Sequence, residues 1–224
     1  MEDRNTEGTE AKLRQLLGDK EHPNLKEAKQ VTLAEGEALK ALLDGLVSKE
    51  DVYRYNCFEV LLQISEEQPR VLYPEWDYFI ALLNSSNAYH RSIGVQILAN
   101  LTQVDAQRRF EEVFDRYFDI LNDEKIIVTR ALVLSAGTIA RFQPSLQARI
   151  VERLLSIDET HHKHKDLIKA DAIQSFEAFF EDYPDQERIL RFVEQQLECS
   201  SPKTRKIAKA FLKCNYSPYA RSGP

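Results

Sequence analysis

In the middle of the chain, apolar residues recur at steps of three and one: Phe110, Val113, Phe114, Tyr117, Phe118 and Leu121. At 3.6 residues per turn these positions fall on one stripe, so the spacing predicts an amphipathic helix that buries that stripe. Four other segments repeat the pattern: Leu39, Leu42, Leu43 and Leu46; Phe79, Ile80, Leu82 and Leu83; Ile150, Val151, Leu154 and Leu155; Ile189, Leu190, Val193 and Leu197. Each ends in a polar turn that leads to a second helix.

The entries of those second helices share a basic residue: Arg54, Arg91, Arg130, Lys169 and Arg205. Three positions later stand Cys57, Gly94, Val133, Ala172 and Ala208, all small or of modest volume, on the same helical face. A two-helix unit recurring about every 38 residues predicts an all-α repeat array, in which no unit covers its own apolar face and each stacks on the next. Pro69, Pro144 and Pro184 fall between units, where a residue without an N–H ends helices.

On these residues the chain resembles the HEAT repeat family, and less closely the armadillo repeats. The shared cues are the aliphatic pairs closing the first helices (Leu42-Leu43, Leu82-Leu83, Ile120-Leu121, Leu154-Leu155), a following Asp44, Asn84 or Asn122, and then the basic residue. The resemblance implies a right-handed α-α superhelix of about five helical hairpins over residues 32–215, with repeats near 32–68, 70–104, 106–143, 145–183 and 185–215. It also implies that Arg54, Arg91, Arg130, Lys169 and Arg205 form a structural ladder along the turns. Repeat four departs from the pattern with its lysine and a longer turn, and repeat five has Gln196-Leu197 followed by Glu198. Ahead of the repeats, residues 1–31 are expected to be a flexible N-terminus in which EAKLRQLLGDK makes one short capping helix. Residues 216–224 are expected to be a flexible tail.

Two enzymatic branches of the family supply tests of function. The deoxyhypusine hydroxylases hold iron through His-Glu pairs, and this chain contains no His-Glu dipeptide. The HEAT-like DNA glycosylases use tryptophans in a basic groove, whereas Trp76 is the one tryptophan here and lies on a first helix, where core or outer packing is its expected role. No GxSxG elbow, phosphate-binding glycine loop or HExxH motif is present. Cys57 falls at the small interface position and is read as a buried hydrophobe. The segment DETHHKHKD gathers His161, His162 and His164, which are candidate ligands for zinc or nickel, but neighbours on one loop poorly satisfy a tetrahedron and a solvated loop is expected. No catalytic residue and no cofactor are expected.

What remains is surface. In this family the second helices line the inner, concave wall, so the partner-binding candidates are Glu59, Gln63, Gln96, Asn100, Ser135, Thr138, Gln174 and Glu177, joined by Lys206, Lys209 and Lys213 on the last helix. Tyr53, Tyr55 and Tyr89 either anchor a partner or seal the core edge. The net charge of −6 conceals an asymmetry, because the stretch from Cys199 to Pro224 carries six basic residues and no acid. Those lysines are either a solvated terminal face or a docking site for an acidic peptide, another subunit or a phosphate backbone. With 224 residues, 43% of them apolar and 29% charged, the composition is that of a water-soluble globular chain. Its seven glycines and eight prolines are few for an all-β fold. Three scattered cysteines, no apolar stretch of bilayer length and an acidic N-terminus predict a cytoplasmic protein. A scaffold or adaptor for a protein or peptide is the expected function, with nucleic-acid binding at the basic end as the alternative and a metal-binding enzyme third.

Overall fold

The computed structural model describes the backbone of residues 2–215 and the side chains of residues 8–215. Among the described residues the chain is all-α, with no strand. The helices are α1 (Glu2–Leu17), α2 (Leu25–Ala34), α3 (Gly36–Gly45), α4 (Asp51–Glu67), α5 (Pro69–Leu72), α6 (Trp76–Leu82), α7 (Ala88–Leu101), α8 (Arg109–Phe118), α9 (Ile126–Phe142), α10 (Gln147–Leu155), α11 (Lys165–Phe176), α12 (Gln186–Gln195) and α13 (Pro202–Asn215). No helix among the described residues is long and apolar enough to cross a membrane.

Local chemistry sets the boundaries. Asn87 caps α7 by accepting the Tyr89 N–H at 2.9 Å, and Asn24 caps α2 by accepting that of Glu27 at 3.1 Å. The buried Asp105 carboxylate accepts the N–H groups of Arg109 and Phe110 at the start of α8, at 2.9 and 2.8 Å, and the Tyr73 hydroxyl from an earlier helix at 2.6 Å. Pro69 and Pro202 open α5 and α13, at the one helical position where a missing N–H costs nothing. Pro74 splits the expected first helix around Phe79 into α5, a 3₁₀ turn and α6.

Five helices form a row in which α4 packs on α7, α7 on α9, α9 on α11 and α11 on α13, while α3, α6, α10 and α12 lie against α4, α7, α9 and α13. Side chains also tie α3, α6, α8 and α10 in succession: Tyr78 donates to the Leu43 carbonyl at 2.9 Å, Arg109 pairs with Asp77 at 2.6 Å, and Arg153 pairs with Asp115 at 2.7 Å. Buried apolar residues form one continuous cluster running from Leu13 to Phe211, so the core is shared along the row. The Phe110–Leu121 stripe faces inward as its spacing requires, with Phe114 stacked on Phe118 at 4.5 Å and Tyr117 edge-on to Phe110 at 5.0 Å. Trp76 is buried in the same core.

The N-terminal part differs from expectation. Two helices stand where one short one was expected, and α2 runs through residue 32, the expected edge of the first repeat. Leu13 and Leu17 of α1 and Ala28 and Val31 of α2 are buried, and Thr9 donates to Glu35 at 3.0 Å. The apolar residues of α1 are confined to its last turns, too few to announce a long helix in isolation; contact with α3 and α4 supplies the rest. The expected tail, 216–224, lies outside the described residues.

α9 and α11 approach closely at Gly137, where a Cβ would lie 2.5 Å from the Ser175 carbonyl oxygen. Gly137→Ala should lower unfolding free energy by about 1–2 kcal/mol, overpacking outweighing the gain in helix propensity. Gly36→Ala, where a Cβ meets nothing within 4 Å, should change little, and urea unfolding midpoints of the two variants test the contrast.

Candidate interaction surface

Four of the five basic entry residues are held by the turn preceding them. Arg54 donates to the Ser48 carbonyl at 2.7 Å, Arg91 to Ser85 at 2.7 Å and Ser86 at 3.2 Å, and Arg205 to Cys199 at 2.6 Å and Ser200 at 2.9 Å. Lys169 reaches Asp158 of its own turn at 2.6 Å. Two arginines also reach beyond their own helix. Arg91 contacts both oxygens of Asp123 at 2.5 and 2.8 Å, and Arg130 both oxygens of Asp171 on α11 at 2.6 and 3.0 Å. Bidentate pairing fixes distance and orientation together. The carboxylates differ from the turn residues Asp44, Asn84 and Asn122 singled out by the sequence pattern; Arg54 pairs with Asp51 of its own helix.

Asp171 is 1% exposed at its side chain and Asp123 7%, so both anions depend on their guanidinium partners. Burial alone would push the Asp123 carboxyl up, but the hydrogen bonds from Arg91 and the Lys125 N–H, with the guanidinium charge, outweigh it and hold the group below the usual carboxylate range.

The other candidates divide by what they touch. Gln174, Glu177, Lys206, Lys209 and Lys213 are exposed; Glu59, Gln63, Gln96, Ser135 and Thr138 are half-buried. Gln96 turns back to the Ser92 carbonyl at 3.1 Å. Asn100 is a correction: it is buried and donates to Ser65 Oγ of α4 at 2.8 Å, because its place in α7 faces the preceding helix of the row. Tyr53 is buried, and Tyr89 packs edge-on to Phe58 at 6.1 Å, so both seal the core. Tyr55 is 51% exposed beside Pro23, Leu25 and Val52, with Glu59 at the rim of the same cleft. The Cys57 thiol is buried, and desolvation pushes it up to about 12, which keeps it protonated and unreactive.

The histidine segment also departs from expectation. His162 is buried, not solvated: its Nε2 lies 3.0 Å from Thr129 Oγ1 and 2.9 Å from the Leu121 carbonyl, binding the turn before α11 to the turn before α9. His161 packs its ring 4.5 Å from that of His162, and His164 ends at the start of α11. Among the described residues no three metal-donor side chains converge to hold an ion.

An apolar stripe went unread in the sequence. Ile127 is 66% and Leu134 45% exposed on α9, seven residues apart on one face, with half-buried Ala131 between them. The signal was present in the runs Ile126-Ile127-Val128 and Leu132-Val133-Leu134, since three consecutive apolar residues on a helix cannot all face one core. Compared with known proteins, the chain matches no family model and no curated sequence.

Removing Arg130 leaves the buried Asp171 carboxylate without its cation, so Arg130→Ala should cost about 3–5 kcal/mol in urea unfolding. Arg54→Ala, whose partner Asp51 is largely exposed, should cost less. Because the Asp123 carboxyl is lowered on folding, its stabilisation is present above the unfolded value of about 4 and is lost as pH falls through the folded value. Asp123→Asn should flatten the stability profile below pH about 4, measured by urea unfolding across that range.

Proposed function

We propose that the protein is a non-catalytic scaffold: a right-handed HEAT-like superhelix of about five helical hairpins that binds a protein or peptide along the exposed face of α4, α7, α9, α11 and α13. The observation that carries this reading is the solvent-facing Ile127–Ala131–Leu134 stripe on α9, a helix held on both sides by α7 and α11. Apolar side chains at i, i+4 and i+7 on a fixed helix offer anchor points to a partner without a cost of ordering the surface first. Gln96, Ser135, Thr138, Gln174 and Glu177 supply polar groups around the stripe. The shared core and the forward reach of Arg91 and Arg130 support the superhelical arrangement, since α7 and α9 are each tied to the element that follows.

Nucleic-acid binding is the second reading, favoured by the exposed Lys206, Lys209 and Lys213, but a net charge of −6 opposes a polyanion over most of the surface. Free Cys57, Cys199 and Cys214 fit a reducing, cytoplasmic setting.

Solution scattering tests the shape: a compact globule of this length has a radius of gyration of about 17 Å, and the superhelix should exceed it clearly. A photocrosslinking residue at position 134, in cells of the source, should trap a discrete partner that the same residue at exposed position 148 of α10 does not. Leu134→Asp should abolish capture from neighbouring position 131 while circular dichroism stays unchanged. Equal crosslinking from positions 134 and 148 would remove the reading.

A further inference from the structure

We infer that the outward end of α13 is a docking surface for an acidic amphipathic helix of a partner protein, a carboxylate of which completes the pairing that Arg205 lacks. The inference rests on the scaffold reading and specifies the chemistry of one partner. Arg91 and Arg205 use Nη1 in the same way, each donating to two carbonyls of the preceding turn. Arg91 then commits Nε and Nη2 to both oxygens of Asp123, and Arg130 commits the same two nitrogens to Asp171. At Arg205 no carboxylate meets those nitrogens among the described residues. The guanidinium is held by its turn with one edge of the fork open.

The exposed side chains beside it are cationic. Four residues after the entry residue, α4, α7 and α11 bury Phe58, Val95 and Ile173 and α9 exposes the apolar Leu134, whereas α13 exposes Lys209. Eight residues after it stand Leu62, Ala99, Thr138 and the exposed Glu177, and on α13 the exposed Lys213. Lys206 completes the stripe, and half-buried Ile207 and Leu212 lie on the same helix. A terminal face that meets only water is served by charges of both signs, but no acid occurs from Cys199 to Pro224. Lysines at steps of three and four match the spacing at which a helix presents glutamates, and half-buried Leu212, on the Arg205 side of the stripe, offers that helix an apolar contact. A planar fork already pre-oriented favours a carboxylate in the geometry seen at Asp123 and Asp171. A duplex would bring its charge against the remaining 198 residues, which carry about −12.

Fluorescence anisotropy of the full chain tests this with three labelled probes: a helical peptide bearing glutamates at every third or fourth position and leucines opposite, its glutamine counterpart, and a short DNA duplex. The acidic peptide should bind and weaken with salt, with the glutamine peptide about tenfold weaker or worse. Lys209→Glu should cost about tenfold, and Arg205→Lys, which keeps the charge and loses the fork, several-fold. Lys213→Glu, at an exposed position, serves as a second reversal should either variant lose helicity. Tighter binding of DNA, equal binding of the glutamine peptide, or indifference to these substitutions overturns the inference. So does self-association abolished by Lys209→Glu, which would assign the face to a second copy. Crosslinking from position 134 is read independently: a partner there with no peptide binding sinks this inference alone.

Discussion

Inside the molecule, Arg130, one helix earlier in the row, closes on both oxygens of the buried Asp171 carboxylate. The pair does more than offset its own desolvation. A bidentate contact tolerates little rotation or slip, so it fixes how far along α9 the helix α11 sits, and Gly137 admits the Ser175 backbone at the same crossing. Apolar contact alone is indifferent to a shift of one turn; the ion pair is not. Arg91 and Asp123 impose the same constraint between α7 and the turn that opens α9. Asp123 also accepts the Lys125 N–H at 2.8 Å, so one carboxylate shapes the turn before α9 and locks it to α7.

The periodic parts of this arrangement were legible because they obey one-dimensional rules. A stripe such as Phe110 to Leu121 requires only the helical repeat, and the basic entry residues recur with the units. Their partners were not legible. Asp171 lies within α11, far along the chain from Arg130, and Asp123 sits beside the Asn122 that the pattern favoured; a register of one residue is decided by the turn's backbone, which the sequence does not display. The N-terminal helices escaped for a related reason, since α1 has few apolar residues until its last turns and is fixed by what it touches on α3 and α4.

Polar residues were harder still, because composition assigns them to water by default. His162 and Asn100 are both buried, and each bridges neighbouring parts of the row, His162 between two turns and Asn100 between α7 and α4. A buried polar group left alone costs more than its bond returns, so such contacts penalise every misaligned stacking. The exposed apolar residues are the mirror case. Ile127 and Leu134 would be expected inside, and they remain outside because α9 is apolar on more of its circumference than two neighbouring helices and the outer layer can cover. Both kinds of exception arise where residue type and environment disagree, which is where a surface acquires specificity.

The row also has a direction. Arg91 and Arg130 reach toward the C-terminus, so their pairings are completed by the element that follows. The first helix of the row needs nothing from behind: α1 and α2 cover α3 and α4 with Leu13, Leu17, Ala28 and Val31, and Arg14 lies 4.6 Å over the Tyr53 ring while pairing with Glu50 at 2.9 Å. That end is closed mainly by apolar contact. At α13, Arg205 meets no carboxylate among the described residues, and Lys206, Lys209 and Lys213 are exposed on the same helix. The row thus presents apolar cover beside α3 and α4 and exposed cations on α13, surfaces of unlike chemistry, and the cations keep donors that another molecule can meet.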